Sequence, residues 1–143
     1  MTTRIFLGLG SNLGDREGNI RKALSLLEER LGMPCRALSS LIESAPWGFE
    51  SPNSFINACA SFELEVPCSE EEALKLLDIC KDIEREMGRT ESKPSEGYKD
   101  RIIDIDILLF GDLKMDTPRL TIPHPLMHKR DFVMVPLREI ADY

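Results

Sequence analysis

The chain has 143 residues, 42% hydrophobic and 30% charged, with a formal net charge of −7. This suits one globular domain over 1–143 with a single core. No apolar run approaches the roughly 18 residues that span a bilayer, and the acidic balance argues against bulk nucleic-acid binding, while leaving room for a local basic site for an anionic ligand. Met1-Thr2-Thr3-Arg4 leads straight into a strand-like segment with no signal-peptide pattern. Cys35, Cys59, Cys68 and Cys80 show neither close pairing nor CxxC spacing. A reducing cytoplasm is the expected compartment, and no obligate protein partner is evident.

Arg4 to Leu9 is predicted as a first strand, ended by the turn Gly10-Ser11-Asn12-Leu13-Gly14-Asp15. A helix follows to about Leu31, with Ile20, Leu24, Leu27 and Leu31 at helical spacing and Gly32 and Pro34 as stop signals. Cys35 to Ser44 is a second strand. From Phe55 to Glu65 the alternation places Ile56, Ala58, Ala60, Phe62 and Leu64 on one face, a third strand, with Phe55 and Asn57 on the other. Ser69 with Glu72 forms a capping-box signal for a helix carrying Leu76, Cys80, Ile83 and Met87 on one side, ended at Gly88. Arg101 to Phe110 is a fourth strand. The order β-α-β-β-α-β predicts an α+β, ferredoxin-like fold: a four-stranded antiparallel sheet, helices on one face, and the other face open to carry a site. The proline-rich residues after Phe110 are expected to wrap the sheet in short irregular elements.

The strongest chemical signal lies in that fourth strand. Period two puts Asp104 and Asp106 on one face, roughly 6–7 Å apart, in the company of Ile102, Leu108 and Phe110, with Ile103, Ile105, Ile107 and Leu109 opposite. Paired carboxylates in apolar surroundings call for a compensating cation, and hard oxygens at this spacing suit Mg²⁺ held together with substrate phosphates. An amphipathic edge strand that merely displays two aspartates is the competing reading; Leu108 and Phe110 weigh modestly for the metal. The run from Gly88 to Arg101 contains Arg89, Lys93, Lys99 and Arg101 and almost no apolar anchors. It reads either as a mobile loop that grips a polyphosphate or as a solvated linker, and its adjacency to the aspartates favours the first. Gly8 to Gly14 fits neither GxGxxG nor the P-loop pattern and is taken as a strand-to-helix turn. Trp47, in Ala45-Pro46-Trp47-Gly48-Phe49, presents an aromatic surface or packs locally. His124, fixed between Pro123 and Pro125, is expected to hydrogen-bond phosphate, and His128 to lie at the surface.

These segments in this order resemble 6-hydroxymethyl-7,8-dihydropterin pyrophosphokinase, a family of folate biosynthesis. The resemblance is carried by Leu9-Gly-Ser-Asn-Leu-Gly-Asp15, Ala45-Pro-Trp-Gly48, Phe55-Ile-Asn-Ala58, Ile83-Glu84 through Gly88-Arg89, Arg101-Ile-Ile-Asp-Ile-Asp-Ile-Leu-Leu-Phe110, Arg119-Leu-Thr-Ile-Pro-His124, and Arg130-Asp-Phe-Val-Met-Val-Pro-Leu137. It implies a ferredoxin-like domain that transfers pyrophosphate from ATP, its co-substrate, to the pterin hydroxymethyl group, releasing AMP. It further implies two Mg²⁺ ions on Asp104 and Asp106, with Arg89 and Arg101 as further catalytic groups. Ser44, Trp47, Phe55, Asn57 and Phe132 would bind the pterin, and Glu84, Arg89, Arg101, Arg119, Thr121, His124 and Arg130 the ATP. Phe55 stands where the family often has tyrosine. A ligand-sensing module and an RNA-binding domain of similar topology are the rivals. The first has no need of paired aspartates beside a basic loop, and the second is disfavoured by the acidic charge and the lack of an RNP-like aromatic strand.

Overall fold

A computed structural model describes residues 1–45, 52–88 and 101–142. Strand β1 (Thr3–Ser11) runs through the centre of an antiparallel sheet of order β2-β4-β1-β5, and β3 also pairs with β4. These are β2 (Ala37–Leu38), β3 (Ile42–Ser44), β4 (Phe55–Leu64) and β5 (Asp104–Phe110). A separate two-stranded pair, β6 (Met115–Asp116) and β7 (Thr121–Ile122), follows. With three α-helices among the described residues, this mixed architecture is compatible with a ferredoxin-like fold.

Helix α1 (Arg16–Leu31) starts where the Asp15 carboxylate accepts the Gly18 N–H at 3.1 Å. It ends at Gly32, whose φ of +72° fits glycine and whose N–H donates to the Glu28 carbonyl. Helix α2 (Glu70–Glu86) is capped by Ser69, whose Oγ accepts the Glu72 N–H at 3.3 Å, as the capping signal predicts. The two helices cover one sheet face. There Ile20, Ala23 and Leu27 of α1 and Leu76, Cys80 and Ile83 of α2 pack on Ile5, Leu7, Leu9, Ala60, Phe62 and Ile105.

Four sequence expectations are corrected. The predicted second strand is two short strands, because Ser39 keeps only half of its ladder pairing: its N–H donates to the Cys59 carbonyl at 2.9 Å, but its hydroxyl, not its carbonyl, accepts the Cys59 N–H at 2.8 Å and donates to the Ser40 carbonyl. The sheet therefore counts five strands among the described residues. The fourth predicted strand begins at Asp104, not Arg101. Its register slips beside β1, where Phe6 faces Leu109 and Leu7 faces Ile107. Leu108 is the extra residue of this bulge, so the alternation inverts after it. Phe110 turns to the helix-covered core, while Leu108 and Leu109 join the other side.

The last correction concerns the C-terminal region. It forms a regular helix, α3 (Asp131–Ile140), preceded by a 3₁₀ turn at Met127–Lys129. Met127, Met134 and Leu137 pack on Phe6, Cys59 and Leu108, a second and smaller core on the sheet face opposite α1 and α2. That face is thus only partly open. The Glu139 carboxylate fixes α3 to the β2–β3 connection by accepting the Ser40 N–H and hydroxyl at 2.9 and 2.8 Å.

Candidate active site

On this second face, β1 presents Phe6, Gly8 and Gly10 in alternation. Phe6 belongs to the small core. The two glycines carry no side chain, so the middle of the sheet is left bare between taller neighbours. Gly10 lies opposite Asn57 on β4 and Asp104 on β5, and Gly8 opposite Cys59 and Asp106. A cavity of about 310 Å³ opens over this floor. The glycines read in the sequence as part of a turn are therefore strand residues that create the site. Their signal was their spacing of two on a strand, which places both gaps on one face.

One side of the cavity is aromatic and amide in character. It is lined by Ser44 of β3, Phe55 and Asn57 of β4, and Phe132 of α3. Asn57 is buried, and its Nδ2 donates to Ser44 Oγ at 2.7 Å, which fixes the plane of the amide. The other side holds Arg101, Asp104, Asp106, His124 and Arg130. Arg130 is buried, with its guanidinium 5.7 Å from the centre of the Phe132 ring, a cation–π contact that links the two sides.

The position of His124 follows from the bulge. Its N–H donates to the carbonyl of Leu108 at 3.1 Å, which holds the Pro-His-Pro segment beside β5. Its Nδ1 accepts the Leu126 N–H at 3.3 Å, so the proton of the neutral ring sits on Nε2. Burial lowers the His124 pKa below its usual value; the Arg130 charge lowers it further, and Asp104 partly opposes both. A neutral imidazole that offers one N–H donor is the result.

The predicted site residues thus fall into three groups. Ser44, Phe55, Asn57, Arg101, Asp104, Asp106, His124, Arg130 and Phe132 meet in one cavity. Glu84, Arg119 and Thr121 do not line it. Glu84 is buried on α2, where its Oε2 accepts the Ile105 N–H at 2.8 Å behind the aspartate strand. Arg119 pairs with Asp78 at 2.6 Å, and the Thr121 hydroxyl bonds the Asp116 carboxylate at 3.2 Å. Trp47 and Arg89 lie outside the described residues, as do Lys93 and Lys99. His128 is exposed, as expected.

The donor chemistry fits a hard divalent cation. Asp104 and Asp106 both line the cavity, and among the described residues no group of three or more His, Cys, Asp or Glu side chains could cage a metal unaided. Mg²⁺ is typically held by one or two carboxylates and completes its shell with water and substrate phosphates. No helix among the described residues is long and apolar enough to cross a membrane.

A slot with rings and an amide at one end, and paired carboxylates among cations at the other, can accept a flat heterocycle beside a polyphosphate. Comparison with known proteins agrees. A family model for 7,8-dihydro-6-hydroxymethylpterin-pyrophosphokinase matches residues 6–142. The 2-amino-4-hydroxy-6-hydroxymethyldihydropteridine pyrophosphokinase of Porphyromonas gingivalis is 44% identical over 140 residues, covering 97% of this chain and 91% of the relative. The protein of the same name from Bacillus subtilis is 35% identical over 141 residues, covering 99% and 80%. The folic acid synthesis protein FOL1 of Dictyostelium discoideum is 36% identical over 137 residues, 96% of this chain and 19% of that protein. The chain belongs to the hydroxymethyldihydropterin pyrophosphokinase family.

Proposed function

We propose that this chain transfers the terminal pyrophosphoryl group of ATP to the hydroxymethyl group of 6-hydroxymethyl-7,8-dihydropterin, giving AMP and the pterin diphosphate, as a step of folate biosynthesis. The observation that carries the reading is the meeting, over one glycine floor, of Phe55, Asn57 and Phe132 with Asp104, Asp106, Arg101 and Arg130.

In this reading the pterin ring lies between the Phe55 and Phe132 rings, and the Asn57 amide, oriented by Ser44, recognises its polar edge. Trp47 is assigned to pterin binding by family membership. The hydroxymethyl oxygen then points toward the aspartates. Its attack on the β-phosphorus forms the new P–O bond as the bridge to the α-phosphate breaks; AMP leaves and the hydroxyl proton is released. Transfer is direct, with no covalent enzyme intermediate, so catalysis rests on alignment and charge neutralisation. Arg101 and Arg130 lower the repulsion between phosphate and the incoming oxygen, and the Nε2–H of neutral His124 donates to a phosphate oxygen. Asp104 and Asp106 would hold two Mg²⁺ ions, which when bound neutralise charge on the polyphosphate. Glu84, Arg89, Arg119 and Thr121 are assigned to the ATP side by family membership.

The deciding test follows ATP labelled at the β-phosphate, incubated with Mg²⁺ and the reduced pterin. Label in the pterin product with equimolar AMP is expected; pterin-dependent ADP with the label still on the nucleotide would refute the reaction. Asp104→Ala or Asp106→Ala should lower turnover by about a thousandfold or more while the circular dichroism of the fold is retained. Near-normal turnover in both would remove the metal assignment.

A further inference from the structure

We propose that Asn12 is a positioning residue: its side chain sets the spacing between the strand that carries the aspartates and the strand that carries the aromatic and amide groups. The inference rests on the function proposed above and assigns a role to a residue that does not line the cavity.

Asn12 follows the last residue of β1 and is 2% exposed. It brackets Arg101 by bonding the peptide groups on both sides of its Cα. The Asn12 N–H donates to the Arg101 carbonyl at 3.0 Å, and the Arg101 N–H donates to Asn12 Oδ1 at 2.6 Å. The β1–β5 ladder closes with Gly10 opposite Asp104. Beyond that point the Asn12 amide stands in for a backbone carbonyl and holds Arg101 beside the end of β1, one residue out of the β5 register, before β5 has begun. With its carbonyl and amide both held, the Cα of Arg101 and the direction in which its side chain leaves the backbone are held too.

The other end of the same side chain reaches the opposite half of the cavity. Asn12 Nδ2 donates to the Asn53 carbonyl at 3.3 Å, two residues before Phe55. The turn beneath it is braced against α1, because Asn19 Nδ2 donates to Ser11 Oγ at 3.2 Å and to the Leu13 carbonyl at 2.8 Å. One buried amide therefore spans the entry to β5 and the entry to β4 from a rigid base. Displacement of reacting groups by about 1 Å can cost on the order of a hundredfold in rate, so this spacing has kinetic weight.

The two arms of the amide separate by substitution. Asn12→Ala removes both. Asn12→Asp keeps an oxygen acceptor for the Arg101 N–H but turns a second acceptor toward the Asn53 carbonyl. Steady-state kinetics per folded molecule, with the urea midpoint measured alongside, are to be compared with wild type, whose own pterin-dependent AMP release first tests the reaction independently. In Asn12→Ala, kcat is expected to fall at least about tenfold and the pterin KM to rise. In Asn12→Asp, kcat should recover to within a few-fold of wild type while the pterin KM stays raised. Wild-type kinetics in folded Asn12→Ala, or kcat in Asn12→Asp no better than in Asn12→Ala, would overturn the proposal. If only Asn12→Asp folds, a near-normal kcat with a raised pterin KM supports it and any other pattern overturns it. Failure of both variants to fold would also overturn it, since the role would then be structural.

Discussion

Gly10 has little room to become anything else. A Cβ added there would lie 3.2 Å from Asn57 Oδ1 and 3.5 Å from the Phe55 ring, whereas one added at Gly8 would meet only the flexible Leu108 side chain at 3.5 Å or more. Gly10→Ala should therefore push aside the amide and ring that face the pterin and weaken its binding about tenfold, as overpacking of about 1–3 kcal/mol implies. Gly8→Ala should have the smaller effect on pterin binding. Calorimetric titration checks this, and equal pterin affinity in wild type and Gly10→Ala would reject it. His124 offers a test by acidity. Its folded pKa lies below the usual 6.5 because of burial, aided by Arg130. The unfolded chain therefore binds the proton more readily, so the His124 contribution to stability is present in full above about pH 6.5 and is lost as pH falls through the folded value. Urea midpoints from pH 7.5 to 5 should show wild type losing stability relative to His124→Gln as pH falls. A constant difference across the range would refute this.

At the scale of elements, β5 is an edge strand among the described residues, yet it must hold two aspartates at a fixed pitch. Glu84 serves that need from α2 by accepting the N–H of Ile105, the residue between them. Glu84→Leu leaves this donor buried without its acceptor and should cost about 1–3 kcal/mol. Glu84→Gln keeps an oxygen acceptor and should cost less. Urea unfolding reads both, and a Glu84→Leu midpoint equal to wild type would contradict the role. The order of elements through β5 was legible because each announced itself locally: alternation in Phe55–Leu64, the Ser69 cap, the Gly32 stop. The rest depended on partners distant in sequence. The bulge at Leu108 was hidden because Leu108 and Leu109 are both apolar, so neither neighbour marks where alternation inverts. The Ser39 break was hidden because only the Cys59 N–H reveals it. Helix α3 was masked by Pro136, which reads as a helix breaker, although Met134 and Leu137 on its buried face tie it to the sheet. Within the site, the aspartates and the Phe55/Asn57 pair could be read from strand periodicity alone. Arg130 and Phe132 came only with the family resemblance, since their approach to the cavity needs the helix that the prolines concealed.

The described residues form two cores of unequal size on the two faces of the larger sheet. The larger, under α1 and α2, holds most of the buried aliphatic and aromatic side chains; the smaller, under α3, rests on Phe6, Cys59, Leu108, Met127, Met134 and Leu137. Each core buries one thiol. Burial pushes the Cys59 thiol up to about 12 and the Cys80 thiol up as well, while Cys68 is exposed. Alkylation of the native protein should mark Cys68 first and reach Cys59 and Cys80 only on unfolding; rapid labelling of Cys80 in the native state would contradict the packing. Because α3 contributes Phe132 to the cavity wall, and Arg130 directly precedes it, the element seated on the smaller core supplies part of the site. Cooperative units differ in opening free energy, and a ligand that binds only the closed form raises that energy by mass action, by about 2.7 kcal/mol at a hundred times Kd. Amide exchange in α3 should then outpace that in β1 and β4 in the unliganded protein and slow sharply once the cavity is filled. Binding would be recorded most clearly in the helix that forms part of the cavity wall.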